Sequence, residues 1–379
     1  MIDSLHNSIF YEKPEVVSSA PGKINLMGEH TYQSAGFVFS IAINHRTYVS
    51  LSSRFDEKFV VYSDRALALE IFTKKSLGKI EKNKWITPVK ALIKALLDNG
   101  YDIPGLNICI ASDIPQSPNL ADIPASVVAL SFGIRHLQNL EIEDIDLFHL
   151  CERIGKYMTS SYENVFDYMA SALARDNTGI LIDCKTFQYE YAPISRRLKI
   201  LIIDPGKGAE LTAPELSRRR DECKNATDVI STLDPQVKSL RDLTTDKLNK
   251  YSNFIDKSSM KRIKYIVEEN ERTLNFVIAL RRRNLSLLGK LMFDSHLSLR
   301  NDYEISTPEI DAIVDISATI DGVIGAKLFG ASSGAIIIAI KEKAGEAIRI
   351  ISEEFQKTFG RKPKIYVTSP ENGVEVSSR

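Results

Sequence analysis

Residues 20–31 read APGKINLMGEHT, and after four further residues GFVFSIAI follows at 36–43. A Pro-Gly turn, one cation at Lys23 and an adjacent Glu29-His30 pair beside Gly28 are set among apolar residues. Polar groups embedded in this way suit a partly apolar cleft that orients a hydroxylated ligand. By composition alone the same letters also describe a turn, a capped strand and a core histidine.

Working outward, the 379-residue chain is long enough for two cooperative cores rather than one. Hydrophobic residues make up 44% and charged residues 26%, an ordinary balance for a globular protein. Lys plus Arg equals Asp plus Glu at 49 each, so no long-range field draws nucleic acid or an anionic membrane. Any anion must be held by a local pocket. Cys109, Cys151, Cys184 and Cys223 form no CxxC pair, which argues for buried thiols in a reducing compartment rather than structural zinc. With no signal-like apolar stretch at the N-terminus and no uncharged apolar run long enough to span a bilayer, the expected location is the cytoplasm, as a monomer or homodimer.

Hydrophobic periodicity predicts strands at 37–43, 47–53, 59–63, 106–112, 179–184 and 198–204, and an apolar pair on either side of residues 331–333. Helical spacing runs through WITPVKALIKALLDNG, ASVVALSFGIRHLQNL and DIDLFHLCERIGKYM, and then through longer stretches of the second half. Strands are not regularly followed by crossover helices. The expected class is therefore α+β in two domains, 1–190 and 191–379, with the boundary in 185–197.

Three further stretches carry candidate chemistry. LFGASSGAIIIAI at 328–340 is a Gly/Ser-rich turn between apolar runs, either a close approach of backbone to a ligand or a tight hairpin. In ENVFDYMASALARDNTGILIDC at 163–184, Asp167 sits in an apolar, helical setting, as a cap or as a buried functional carboxylate. IPQSPNLADIPASVVAL at 114–130 has the place of a phosphate-cradling loop between a strand and a helix, yet it contains no glycine.

Taken in order, these stretches resemble the signature of the GHMP small-molecule kinases, and of galactokinases most. APGKINLMGEH is similar to the first motif, and KTFQYEYAP, RRRDEC, IVEENERT, DSHLSLRNDYEISTPEID and GAKLFGASSGA fall in matching order. The resemblance implies a two-domain fold, with an N-terminal domain like ribosomal protein S5 domain 2 and a ferredoxin-like C-terminal domain. It also implies transfer of the ATP γ-phosphate to a hydroxyl of a small metabolite, with Mg²⁺. On matched positions, Asp167 is the catalytic carboxylate and Lys23 the cation beside it. Glu29, His30, Tyr32 and Asn164 fall at acceptor-contact positions. Ser117, Asn119, Ala121, Asp122, Ile123 and Ala125, with Gly330, Ala331, Ser332 and Ser333, fall at ATP-binding positions.

Departures are as informative. Tyr32 stands where galactokinases keep an aspartate, Asn164 where they keep a glycine, and a substrate tyrosine is replaced by Glu215 or Leu216. Losing a carboxylate lowers repulsion toward an anionic acceptor. The expected activity is thus galactokinase-like with a changed acceptor. Two alternatives stay open: a mevalonate-branch kinase acting on a phosphorylated mevalonate, and a catalytically silent sensor or regulator. The family's helix glutamate for Mg²⁺ is matched by Gly155, which leaves Asp122, with Glu152 one turn before that glycine, as the expected metal ligands.

Overall fold

The computed structural model describes residues 2–82, 84–116, 120–158, 164–206, 213–330 and 334–379. In chain order the first half runs α1 (Ile2–Phe10), β1 (Val16–Met27), β2 (Phe37–Ser53), β3 (Lys58–Ser63), β4 (Ala68–Thr73), α2 (Thr87–Asp98), β5 (Leu106–Ser112) and α3 (Asp122–Leu137). It continues with α4 (Asp144–Glu152), α5 (Val165–Leu173), β6 (Thr178–Asp183) and β7 (Tyr189–Pro193). The second half runs β8 (Leu198–Asp204), α6 (Ala213–Leu233), the single turn α7 (Thr245–Leu248), α8 (Lys257–Arg281), α9 (Leu285–Ser298) and α10 (Pro308–Ala318). It closes with β9 (Val323–Phe329), β10 (Gly334–Ile340), α11 (Ala344–Phe359), β11 (Lys364–Thr368) and β12 (Glu375–Ser378).

These strands form two sheets, as the α+β reading expects. The first has the order β12-β1-β2-β5-β3-β4, with β6 pairing β2 and β7 pairing β6; the second has the order β11-β8-β10-β9. The runs expected at 37–43 and 47–53 are one continuous strand, kept continuous through Asn44, His45 and Arg46 by pairing with β1 on both sides of that step. β12 was not anticipated: it has only four residues, three of them polar, and they become a strand by pairing antiparallel with β1. The last residues therefore return to the first sheet.

β8 and β10 explain how the sheets are joined. Leu201 and Ile203 of β8, with Ala335, Ile337 and Ala339 of β10, face the core under α6, α8, α10 and α11. Ile200, Ile202, Ile336 and Ile338 face the other way, against Ile24, Leu26, Phe39 and Ile41 of the first sheet and Phe276, Leu280 and Met292 of α8 and α9. Strands covered on both faces read as continuous apolar runs, as LKILIID and GAIIIAI do. The first sheet has its own core with α2, α3, α4 and α5. Among the described residues no helix is long and apolar enough to cross a membrane.

Candidate active site

The β1–β2 pairing slips between Pro21 and Lys23 and again between Asn25 and Met27. Such irregularities bend a strand and re-aim its side chains. The first slip depends on Gly22, where an added Cβ would meet the Leu120 carbonyl oxygen at 2.5 Å. The Lys23 amide donates to that same oxygen at 3.2 Å, so the segment before α3 is tied to β1. Lys23 is thereby turned inward, 7% exposed, and its ammonium forms an ion pair with Asp167 Oδ1.

Asp167 lies in the first turn of α5, which Asn164 caps. The Asn164 side-chain oxygen accepts from the Phe166 amide at 3.0 Å, while its Nδ2 and backbone amide donate to Asp167 Oδ2 at 3.0 and 3.3 Å. The cap reading of Asp167 is realised, since it closes the capping box with Asn164 at the start of α5. Ser171 Oγ donates to the Pro21 carbonyl at 2.7 Å, locking α5 onto β1. The cation and carboxylate are held from two elements that cannot move independently.

A polar chain leads from this pair to Glu29. Lys23 Nζ donates to Asn25 Oδ1 at 3.0 Å, and Asn25 Nδ2 donates to Glu29 Oε2 at 3.3 Å. Glu29 Oε1 accepts the Gly330 amide at 2.9 Å, which joins the end of β1 to the turn after β9. Burial pushes the Glu29 carboxyl up, but Lys327, His30, the Gly330 amide and Lys23 together outweigh it and hold the carboxyl below its ordinary range. Asn25 is a member the sequence reading passed over; an asparagine two residues after the cation, on the same strand face, was the available signal.

The turn after β1 requires Gly28, at φ +85, because a Cβ there would meet the Phe37 carbonyl oxygen at 2.2 Å. Helix α8 clamps this turn: Glu269 Oε1 accepts the Gly28 amide at 3.0 Å, Tyr265 donates its hydroxyl to the Glu29 carbonyl at 2.9 Å, and Asn270 Oδ1 accepts the Phe37 amide at 3.0 Å. Glu269 is fully buried and shared with Ser295 and Arg272. These clamp residues were also missed, although Tyr265, Glu269 and Thr273 recur at four-residue spacing inside an apolar helix pattern.

His30 stacks on Tyr303 with ring centroids 4.9 Å apart and lines a cavity of about 370 Å³ together with Gln33, Ser34, Arg220 and Ile266. Burial, opposed by Glu29 and aided by Arg220 and Lys327, pulls the imidazole down to about 4. It is neutral at pH 7. Tyr32 opens a short turn nearby and its hydroxyl accepts from Gln33 Nε2 at 2.9 Å. Of the two positions weighed for the replaced tyrosine, Glu215 is exposed and Leu216 is buried in the core of the second sheet.

Around the glycine-free loop, Ser117 and Asn119 lie outside the described residues, as do Ala331, Ser332 and Ser333 of the Gly/Ser turn. Ala121 takes the left-handed conformation at φ 58, and α3 begins at Asp122. Ile123 packs beside the first core, while Ala125 is wholly buried between the sheets. Asp122 forms an ion pair with Arg65 at 3.1 Å and is half exposed. Glu152 lies 3.6 Å from His149 at the end of α4. Among the described residues no group of three or more potential ligands is gathered for a metal.

Comparison with known proteins makes the two-sheet fold that of the GHMP small-molecule kinases. The family model "GHMP kinases C terminal" matches residues 276–357, and "Galactokinase galactose-binding signature" matches residues 4–53. A galactokinase of Clostridium beijerinckii is 31% identical over 380 aligned residues, covering 98% of this chain and 97% of its own. The crystal structure of Lactococcus lactis galactokinase complexed with galactose superposes with a TM-score of 0.92 at 27% identity, covering 98% of each chain. The Methanococcus jannaschii mevalonate kinase structure shares the fold, with a TM-score of 0.66 at 19% identity over 94% of this chain and 98% of its own. The chain belongs to the galactokinase family of phosphotransferases, in which the acceptor is a hydroxyl group.

Proposed function

We propose that the protein transfers the γ-phosphoryl group of ATP to a hydroxyl of galactose or a closely related sugar, in a cleft between the parts of the molecule built on the first and second sheets. The observation that carries this is the buried Lys23–Asp167 pair, linked through Asn25 to Glu29. Phosphoryl transfer asks little covalent chemistry of a protein. It needs aligned oxygens and compensation of the negative charge that spreads over the moving group.

In this proposal Asp167 accepts the acceptor hydroxyl's proton as the oxygen attacks phosphorus and the bond to ADP breaks. Lys23 offsets charge at the transferring group, as a point charge without the planar fork of an arginine. Glu29 accepts from a sugar hydroxyl, and neutral His30 faces the sugar from the cavity wall. The amides at the start of α3 receive an ATP phosphate, since a helix start presents donors and positive dipole. No step is assigned to a metal ion.

Identity of the acceptor rests on the match to the galactose-binding signature and on the galactose-bound relative. Tyr32 marks the finer difference, because a carboxylate that would accept sugar hydroxyls is absent there.

The deciding measurement is ADP release with Mg-ATP over galactose, other sugars, sugar acids, mevalonate and its phosphates. Turnover with a galactose-class sugar is expected. Absence of turnover on every acceptor, together with no thermal stabilisation by Mg-ATP, means a silent relative and overturns the proposal.

A further inference from the structure

We propose that Arg241 is a positioning residue for the acceptor: its guanidinium joins the turn that carries Glu29, His30 and Tyr32 to the segment 238–240, another wall of the cavity beside His30, and so sets the spacing between the two. As a role in sugar binding this rests on the kinase reading; as a brace it does not.

The turn between β1 and β2 closes on itself through the Ser34, Ala35 and Gly36 amides, which donate to the Thr31, Tyr32 and Thr31 carbonyls at 3.0 Å each. Ala35 is left-handed at φ 55, a conformation that a residue with a side chain keeps where its surroundings demand it. Arg241 supplies such a demand from outside the turn. Its Nη1 donates to the Ala35 carbonyl at 2.9 Å, and its two Nη atoms clasp Asp183 Oδ1 and Oδ2 at 2.5 and 2.7 Å. A two-pronged pair of this kind fixes orientation as well as charge. The guanidinium carbon also lies 4.0 Å from the centre of the Phe37 ring, and Phe37 pairs in register with Asp183 at the end of β6. Both charged side chains are largely buried, at 18% exposed.

Arg241 is held as firmly on its own side. It sits in the short helical turn Leu240–Asp242, whose Leu240 is wholly buried in the core of the second sheet. Asp242 Oδ2 accepts the Lys238 and Ser239 amides at 2.9 Å each, and its Oδ1 accepts from Lys185 Nζ at 3.0 Å. The pairs Arg241–Asp183 and Lys185–Asp242 thus run in both directions between the same two short segments. Lys238, Ser239 and Leu240 line the cavity of about 370 Å³ together with His30, Gln33 and Ser34. One guanidinium therefore fastens the residue after one wall of that cavity to the residue after the other.

The test compares wild type with Arg241→Met, Arg241→Lys, Asp183→Asn and the double variant of Arg241→Met with Asp183→Asn. Amide hydrogen exchange across residues 34–36, read by mass spectrometry, needs no turnover. It should quicken about tenfold or more in Arg241→Met, as a hydrogen bond from a charged donor is lost. Unchanged exchange overturns the brace. In steady-state kinetics Arg241→Met should raise KM for galactose about tenfold, with kcat and KM for ATP within about twofold of wild type. Arg241→Lys, which keeps the charge without the fork, should recover part of the loss. Asp183→Asn should raise KM for galactose in the same way, and the double variant should add little to either. A lowered melting temperature with KM for galactose unchanged makes Arg241 structural alone and overturns the positioning role, as does an equal rise in KM for galactose and ATP. If Arg241→Met fails to fold, Arg241→Lys and Asp183→Asn decide by the same readouts. Wild type inactive on all acceptors sinks the kinase reading and the acceptor role with it, while the exchange comparison still decides the brace.

Discussion

Lys23 and Asp167 stand 144 positions apart in sequence, yet they form an ion pair in which both side chains are largely buried, 8% and 13% exposed. Neither is free of further duties, since Lys23 also holds Asn25 and Asp167 receives the Asn164 cap. The pair is at once a structural junction between β1 and α5 and the chemical centre of the proposed reaction. Removing either charge strands the other in a poorly solvated site.

Asp167→Asn should therefore act twice. Turnover is expected to fall by about a hundredfold or more through loss of the proton acceptor. Stability should drop by about 3 kcal/mol because Lys23 loses its counter-charge. Steady-state kinetics with urea unfolding separate the two effects; turnover retained at the wild-type level would remove Asp167 from the catalytic role.

Asn164→Ala tests the capping arrangement. Loss of the cap should cost about 1 kcal/mol, and an Asp167 no longer held by the Asn164 side-chain amide should lower kcat more than it alters the KM for sugar. If Asn164 contacts the acceptor directly instead, KM for sugar will carry the larger change.

For the acceptor, Tyr32→Asp is the informative change. Restoring a carboxylate at this position should raise kcat/KM for galactose about tenfold or more, the value of a hydrogen bond to a charged acceptor. Sugars with an acidic substituent should move the opposite way. Equal effects on both would assign Tyr32 to packing alone.

Asp122→Ala is expected to cost under about 1 kcal/mol, as a half-exposed ion pair with Arg65 is lost. The Mg²⁺ concentration required for half-maximal rate should be unaltered. A steep rise in that requirement would make Asp122 a metal ligand once nucleotide is bound.

Acid sensitivity follows from His30. Its folded-state value of about 4 lies below the ordinary 6.5, so between these limits the unfolded chain binds the extra proton. Stability should fall as pH drops through this window, and His30→Gln should flatten the fall in urea midpoints. A fall of the same size in both proteins would locate the titration elsewhere.

Much of the molecule could be read directly from the chain. LNICIAS, LKILIID and GAIIIAI are strands with the bounds their apolar runs indicate, because strands covered on both faces must be apolar throughout. Local chemistry also marked Lys23, Glu29, His30 and Asp167 as polar groups in apolar settings. What stayed hidden was pairing between distant segments. β12 is a strand only because β1 offers it an edge, and Asn164 reads as a lost glycine until α5 shows it capping Asp167.

The clamp of Tyr265, Glu269 and Asn270 on the turn after β1, and the hydrogen bond from the Gly330 amide to Glu29, lie further still from any local signal. A sequence specifies which residues are polar, how they alternate and where a chain must turn, since propensity and periodicity act over a few residues. Which buried charge meets which is decided by the packing of two sheets and helix α8, where the cost of leaving a charge or an amide unpartnered selects one arrangement.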